Sequence, residues 1–194
     1  MNSITSYDKI DLLFEILSQN QPIWEVISKI ENLNLPDCYV GAGCIAQTVW
    51  NHYHGFKSSA NINDIDVVYF DRSDLSFEKE NEVINSVSNY FSHFPIKLDI
   101  KNQARVHLWY KDHFGYDITP YKSLEEAVST WPTTATSIAV NLEKNQPKVI
   151  APFGLTDLFD LIVRPNKKQI TAEIYNNKLN RWRTHWPKLK IIPW

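Results

Sequence analysis

Two aspartates one residue apart, Asp64 and Asp66, begin the apolar segment DIDVVYF. Successive side chains of a β-strand point to opposite faces, so the two carboxylates share one face while Ile65 and Val67 point the other way. Neighbouring carboxylates repel each other, and proteins usually offset that repulsion with a divalent cation. The pair therefore indicates a site for Mg²⁺.

A glycine turn precedes this pair. Gly41 and Gly43 follow the apolar residues CYV and lead into an amphipathic segment at 45–53. Glycine lets the backbone approach a ligand closely or adopt a positive φ. The start of a helix also presents free N–H groups and the positive end of the helix dipole to an anion. A phosphate-binding turn followed by paired carboxylates predicts metal-assisted phosphoryl or nucleotidyl transfer.

A third carboxylate, Asp99, lies on the polar face of a predicted strand at 96–101. If this strand is next to the Asp66 strand, all three acids lie on one surface. Asp64 and Asp66 would then bridge two Mg²⁺ ions that also hold a triphosphate, with Mn²⁺ able to replace Mg²⁺. Asp99 would complete the site and accept the proton of the attacking hydroxyl.

Each motif alone is unspecific. A single Asp-x-Asp is more often a solvated strand edge or a turn than a metal site, and a lone Gly-x-Gly is equally weak. The order of glycine turn, carboxylate pair and third acid is what favours the functional interpretation.

Polar and aromatic residues follow the Asp99 strand directly. Asn102 and Arg105 are predicted to bind the nucleotide, with Arg105 pairing with a phosphate and Trp109 or Tyr110 stacking on a base. The alternative is that the polar residues cap a turn and their apolar neighbours belong to the core.

The histidines do not indicate a metal site. His52 and His54 are two residues apart and would not share a helix face, so we expect them at the surface. His107 and His113 lack acidic neighbours at ligand spacing and are predicted to be packing or solvated groups.

Hydrophobic periodicity predicts the elements that position these residues. Apolar spacing over 8–19 and 22–30 predicts an N-terminal pair of antiparallel helices. Strand, helix, strand, helix and strand then alternate, with Pro95 ending the second of these helices, which predicts an α/β core. Residues 102–122 show no clear period. The remaining predicted elements are helices at 123–129, 154–163 and 175–182 and a hairpin at 138–150.

Length and composition predict a soluble globular protein. The 194 residues fit a single domain, with a core at about 36–118 and a helix and hairpin extension with a C-terminal arm at about 119–194. The two cysteines form no CxxC motif, which argues against a zinc site or a disulfide framework. No secretion signal or membrane-length apolar stretch is present, so a cytoplasmic location is expected.

The charge is distributed unevenly. The net charge is −2, yet residues 164–194 contain eight Lys and Arg and a single acid, Glu173. The tail KLNRWRTHWPKLK interleaves basic and aromatic residues, as a surface for single-stranded RNA does. The same composition suits an arm that folds back on an acidic body, and we favour that arm.

Taken together, several sequence blocks resemble one family. The order of Gly-x-Gly, Asp-x-Asp and a later single Asp resembles the polymerase-beta nucleotidyltransferase superfamily. The blocks GAGCIAQTVWN, DIDVVYFD, KNQARVHLWY, WPTTATSIAV and APFGLTDLFDLIVRPN resemble its bacterial nucleotidyltransferase-like proteins, formerly a family of unknown function, over about residues 8–194. The resemblance implies a mixed sheet with helices packed on one side, dependence on Mg²⁺ and an NTP donor.

Matched position by position, the resemblance assigns two groups of residues. Gly41 and Gly43 match the glycine motif, and Asp64, Asp66 and Asp99 match the three carboxylates that would be both catalytic and metal-binding. Cys44 is predicted to bind the nucleotide together with these glycines, and it stands where many active members have a serine whose hydroxyl binds phosphate. A thiol is a poor donor, so phosphate binding would depend on backbone amides.

The sequence thus predicts a Mg²⁺-dependent nucleotidyltransferase that moves an NMP from an NTP to an unknown hydroxyl acceptor and releases pyrophosphate. A small molecule, a protein or an RNA end could be the acceptor, whereas duplex DNA and membranes are not expected partners. Two alternatives stay open: a catalytically silent nucleotide or RNA binder with the same fold, and a metal-dependent phosphohydrolase.

Overall fold

The computed structural model describes residues 6–93 and 96–194. The helices in this part of the chain are α1 (Ser6–Ser18), α2 (Gln21–Lys29), α3 (Ala42–His54), α4 (Phe77–Tyr90), α5 (Val106–Phe114), α6 (Leu124–Val128), α7 (Thr156–Phe159) and α8 (Ala172–His185). None of these described helices combines the length and the apolar character needed to cross a bilayer. The strands are β1 (Tyr39–Gly41), β2 (Asp64–Tyr69), β3 (Lys97–Asn102), β4 (Ala139–Glu143), β5 (Gln146–Ile150), β6 (Ile162–Val163) and β7 (Lys190–Ile191).

Five of the described strands form one mixed sheet in the order β3-β2-β1-β4-β5. β1 pairs antiparallel with both β2 and β4, β4 pairs antiparallel with β5, and β2 pairs parallel with β3. The predicted hairpin is confirmed, and it joins the central sheet beside β1. The central sheet therefore contains strands from both the predicted core, at about 36–118, and the predicted extension, at about 119–194.

The two faces of this sheet are covered differently. Ile65, Val67 and Tyr69 point from β2 into a large core shared with α1, α2, α3 and α4. Val68 points the other way, into a smaller core with residues of α5 and α6. The predicted mixed sheet with its layer of helices is confirmed, and α5 and α6 add cover to part of the opposite face. The Asp64 and Asp66 side chains lie on that second face, beyond the smaller core.

The predicted N-terminal helix pair is confirmed as α1 and α2. Pro22 lies in the first turn of α2, where the fixed φ of proline is compatible with a helix and the missing N–H costs nothing. Ile23, Val26 and Ile27 are buried, as their spacing on one helical face requires. Ser123 is the N-cap of α6, since its Oγ accepts a hydrogen bond from the Glu126 amide at 3.1 Å.

The basic C-terminal segment folds back on the body, as expected. Trp186 is buried, donates from Nε1 to Asn51 Oδ1 at 2.7 Å and lies edge-on to Trp50. The Lys188 amide donates to His54 Nε2 at 2.9 Å. His54 is therefore half-buried and anchors the arm rather than being a plain surface residue, whereas His52 is exposed.

The secondary structure differs from the expected one in the segment after α6 and is now defined for residues 102–122. The helix expected at 154–163 is wrong: only Thr156–Phe159 is helical, and Ile162–Val163 pairs with β7 instead. Leu161 takes a positive φ of 58°, which ends the helix before that strand. Residues 102–122, which lacked a period, contain a 3₁₀ turn at Gln103–Arg105 and helix α5. Pro95, expected to end α4, lies outside the described residues.

Candidate functional site

The register of β2 and β3 brings three carboxylates together. Asp66 is paired directly with Asp99 across the two parallel strands, and Asp64 lies two residues before Asp66 on the same face. All three line an open pocket of about 530 Å³. The order of the elements predicted that Asp99 would lie beside the Asp64 and Asp66 pair. The structure has this arrangement, because β2 and β3 are neighbouring strands.

A second groove has a similar volume but no such cluster. It lies between residues 32–35 and α4 and contains Lys79 and Glu82, which pair with each other at 3.4 Å. Its charges are mutually satisfied, so the carboxylate pocket is the candidate site.

The carboxylate cluster leaves excess negative charge in the pocket. Burial, reinforced by the charges of Asp64 and Asp99, raises the pKa of Asp66 to about 7, while Lys101 and Lys178 act in the opposite direction. Asp66 therefore holds a proton at a pH at which an isolated aspartate is ionised. A proton or a cation at this position relieves the repulsion among the three groups.

This shift in the pKa of Asp66 predicts that wild type and Asp66→Asn differ in stability by an amount that depends on pH, when no metal is bound. Folded Asp66 stays protonated up to a pKa of about 7, whereas the unfolded chain loses that proton near 3.8. The contribution of Asp66 to the free energy of unfolding is therefore present in acid and is lost as the pH rises through 7. We expect Asp66→Asn to unfold at nearly the wild-type temperature at pH 4 and at a higher temperature at pH 8.

Thermal unfolding of both proteins in a chelator measures this difference. Asp117→Asn, which removes an exposed carboxylate outside the pocket, is the control and should show no such pH-dependent gain. A constant difference between wild type and Asp66→Asn from pH 4 to pH 8 would contradict the shifted pKa.

The start of α3 forms one wall of the pocket, through Ala42, Gly43 and Gln47. Gly41 itself is buried and extended, with φ −148°. A Cβ at Gly41 would lie 2.9 Å from the Ile138 carbonyl oxygen and 2.9 Å from the Trp131 ring, so close approach explains this glycine.

The positive φ that was expected of a glycine is at Ala42 instead, at 58°. Strained backbone of this kind persists only where surrounding contacts hold it, and the Ala42 amide donates to the Ile138 carbonyl at 2.8 Å. The turn directs the first amides of α3 and the positive end of its dipole toward the carboxylate face.

The chemistry of the donor set fits a hard divalent cation. Three carboxylates supply oxygen ligands, and their repulsion is what such a cation offsets. Asp99 forms an ion pair with Lys101, two residues further along β3. In the described part of the chain, no three His, Cys, Asp or Glu side chains are yet gathered closely enough to hold a metal ion. The Lys101 ammonium therefore competes with a cation for the Asp99 carboxylate.

Besides Gly41, three predicted nucleotide-binding residues lie outside this pocket: Cys44, Asn102 and Arg105. The Cys44 thiol is buried and donates to the Gly41 carbonyl at 3.1 Å, and burial raises its pKa well above the ordinary value. Asn102 is buried and exchanges hydrogen bonds with the backbone of Asp71. These contacts hold the two side chains within the fold. Their positions do not favour a direct contact with the nucleotide, which stays a prediction.

Arg105 is the third of these residues. It forms a buried ion pair with Glu80, and its Nε donates to the Leu75 carbonyl at 3.2 Å. The guanidinium therefore joins the turn after β3 to α4. A phosphate contact by Arg105 likewise stays a prediction, and its existing partners compete with it.

Aromatic side chains form another wall of the pocket. Trp109 and Tyr110 from α5 both line it, as their predicted stacking role requires, and Trp131 lines it as well. His113 is exposed at this wall and lies edge-on to Trp109. Flat rings next to a charged cluster can accept a nucleobase by stacking.

Two basic residues of the pocket were missed by the sequence analysis. Lys178 and Arg181 on α8 line the pocket, and Lys178 is half-buried close enough to Asp66 and Asp64 for their charges to act on its pKa. Their i, i+3 spacing places them on one helical face beside Leu179 and Trp182. That pattern predicts a helix with a basic face next to a buried face. It does not predict that the basic face lies beside the carboxylate strands.

The chain is similar to known proteins in sequence and in fold. A family model described as "Nucleotidyltransferase" matches residues 28–191. The solved structure titled "The NMR structure of the protein reveals a CCA-adding enzyme head domain" is 23% identical, with a TM-score of 0.74 over 93% of this chain and 95% of that chain. Its likeness shows a shared fold. A structure titled "tRNA-processing enzyme (apo form 2)" is 17% identical, with a TM-score of 0.44 over 80% of this chain and 41% of that one. The search of curated protein sequences found no significant match.

Proposed function

The chain belongs to the nucleotidyltransferase family whose model covers residues 28–191, and from this premise we propose that the enzyme uses Mg²⁺ and an NTP donor. It moves the nucleoside monophosphate of the NTP to a hydroxyl acceptor and releases pyrophosphate. Mn²⁺ is expected to replace Mg²⁺, because it also accepts carboxylate oxygen ligands.

One observation supports this proposal above the others. Asp66 is paired with Asp99 in neighbouring strands, and both face a pocket that also contains Asp64 and the first turn of α3. Carboxylates for a cation and helix amides for phosphate are the two kinds of group that phosphoryl-group transfer requires. A surface with carboxylates alone would bind a cation, and a surface with helix amides alone would bind an anion. Only a site with both groups places a cation next to a phosphate.

The transfer step assigns each group a task. The acceptor oxygen forms a bond to the α-phosphorus, the bond from that phosphorus to the α,β-bridging oxygen breaks, and its electron pair leaves on pyrophosphate. Asp99 accepts the hydroxyl proton, and Asp64 and Asp66 hold the cofactor. Bound Mg²⁺ supplies charge neutralisation at the phosphates and lowers the pKa of the attacking hydroxyl.

The remaining walls of the pocket position the nucleotide. The Gly43 amide faces the phosphates, since the Ala42 amide is already bonded to the Ile138 carbonyl, and Trp109 and Trp131 offer ring faces to the base. Cys44 is buried and contributes no side-chain donor to phosphate, so this part of the site depends on backbone.

Pyrophosphate release is the test of this function. We expect the wild-type protein with Mg²⁺ to release pyrophosphate from at least one of the four NTPs only when an acceptor is supplied. Separated RNA, protein and small-molecule fractions of a cell extract serve as acceptor sources, and α-³²P-labelled NTP transfers its label to the fraction that contains the acceptor.

Two other outcomes would refute the proposal. Phosphate release from NTP without any acceptor would identify a phosphohydrolase. NTP binding without turnover under all of these conditions would identify a catalytically silent binder.

A further inference from the structure

Helix α8 uses two of its faces for different purposes. Tyr175, Leu179 and Trp182 are buried in the main core. Lys178 and Arg181 lie on the adjacent face and line the carboxylate pocket. The helix is thus one wall of the site, although it belongs to the C-terminal arm and begins 70 residues after the end of β3.

The position of α8 is held by contacts on both sides of its basic pair. Tyr175 donates from its hydroxyl to the carbonyls of Val163 and Ile192, at 3.0 and 2.6 Å. Trp182 and Trp186 pack edge-on against Trp50 of α3, with ring centroids 5.3 and 5.5 Å away. The basic residues therefore project from a helix that is fixed against the same α3 whose first turn faces the pocket.

The two basic side chains retain unused charge. Among the described residues, neither Lys178 nor Arg181 forms an ion pair with a carboxylate within 4.0 Å, whereas Lys101 is engaged by Asp99. Burial, and after it the charge of Arg181, lowers the pKa of Lys178, whereas the carboxylates of Asp66 and Asp64 act in the opposite direction. Two cations held side by side with no direct ion-pair partner form a site that a multiply charged anion would stabilise.

We propose that Lys178 and Arg181 bind the β- and γ-phosphates of the NTP and hold the pyrophosphate leaving group. This inference rests on the proposed function and names the part of the chain that recognises the polyphosphate. Arg181 can engage phosphate oxygens with two parallel N–H donors, and Lys178 supplies a compact charge nearer to Asp66. The C-terminal arm is then part of the active site as well as a structural element.

Binding of inorganic pyrophosphate tests this assignment without relying on turnover. Calorimetry with Mg²⁺ present would compare wild type with Lys178→Met and Arg181→Met. We expect each substitution to weaken pyrophosphate binding about tenfold, the effect of losing one charge-assisted contact. Binding of a nucleoside monophosphate, which lacks the β- and γ-phosphates, should change by less than about twofold because no such contact is lost.

Two further variants sharpen the result. Arg183→Met removes an exposed cation of the same helix that does not line the pocket, and it should bind pyrophosphate as wild type does. Lys178→Arg retains the charge and should recover most of the affinity that Lys178→Met loses. Thermal unfolding confirms that each variant is folded before its affinity is interpreted.

The outcomes separate this inference from the function it rests on. Wild-type affinity in both Lys178→Met and Arg181→Met, with turnover intact, would overturn the polyphosphate assignment alone. An equal loss of affinity in Arg183→Met would also overturn it, because a general electrostatic effect would then explain the data. Absence of pyrophosphate binding and of NTP turnover in the wild type would overturn both proposals.

Discussion

Asp66→Asn is expected to reduce the rate of nucleotidyl transfer about 10³-fold, which corresponds to about 4 kcal/mol of lost transition-state stabilisation. Asp66 is the central member of the cluster: it is paired with Asp99 in the neighbouring strand and shares its face with Asp64. Asparagine keeps the size of the side chain but removes the charge that would hold the cation. The proposed metal site would therefore lose its central anionic ligand.

The measurement is single-turnover transfer at saturating NTP and Mg²⁺, so that weaker binding does not obscure the chemical step. Asp117→Asn is the matched control, because Asp117 is exposed and pairs with Lys111 outside the pocket. Asp66→Asn should bind Mn²⁺ more weakly than this control by electron paramagnetic resonance. A variant that retains more than about one tenth of the wild-type rate would contradict a role for this carboxylate in holding the cation.

Arg105→Met is expected to lower the free energy of unfolding by about 3–5 kcal/mol, because it leaves the Glu80 carboxylate buried and unpaired. Both side chains of this pair are only 10% exposed. Glu80 also accepts from the Asn102 amide at 2.9 Å, so the pair connects α4 to the end of β3. A loss of this size is a large part of the stability of an ordinary domain.

Chemical denaturation of wild type and Arg105→Met measures the loss. The double variant Arg105→Met/Glu80→Gln should recover part of it, since the unpaired charge is then gone. At a temperature where Arg105→Met remains folded, its KM for NTP should stay within about threefold of the wild-type value. Unchanged stability with a KM raised tenfold or more would instead establish Arg105 as the nucleotide-binding residue that the sequence suggested.

These two experiments concern residues that the sequence could not distinguish. Asp66 and Arg105 were both assigned to the site, one by strand periodicity and the other by its position after Asp99. Periodicity determines the face of a side chain wherever the strand continues. Beyond Asn102 the chain enters a 3₁₀ turn, and the direction of Arg105 then depends on Glu80 of another helix. The residue pattern around Arg105 does not indicate that Glu80 is its partner.

A similar limit applies to the glycine turn. The motif correctly located the change from strand to helix, but it did not reveal which groups face the pocket. Ala42 takes the positive φ, Gly41 accommodates Trp131 and the Ile138 carbonyl, and Cys44 turns into the core. The contacts of Gly41 and Ala42 are with Trp131 and Ile138, which lie 90 to 97 positions away along the chain.

The sequence by itself determined the parts of the protein that follow from short-range periodicity and from the order of the elements. It placed Asp64 and Asp66 on one face, identified the helix pair and the hairpin, and indicated the family fold. Only the tertiary structure decided which strands are neighbours and that α8 brings Lys178 and Arg181 to the carboxylates. The physical reason is that periodicity reports how a segment buries its own apolar face, whereas a site is completed by contacts between segments far apart in the chain.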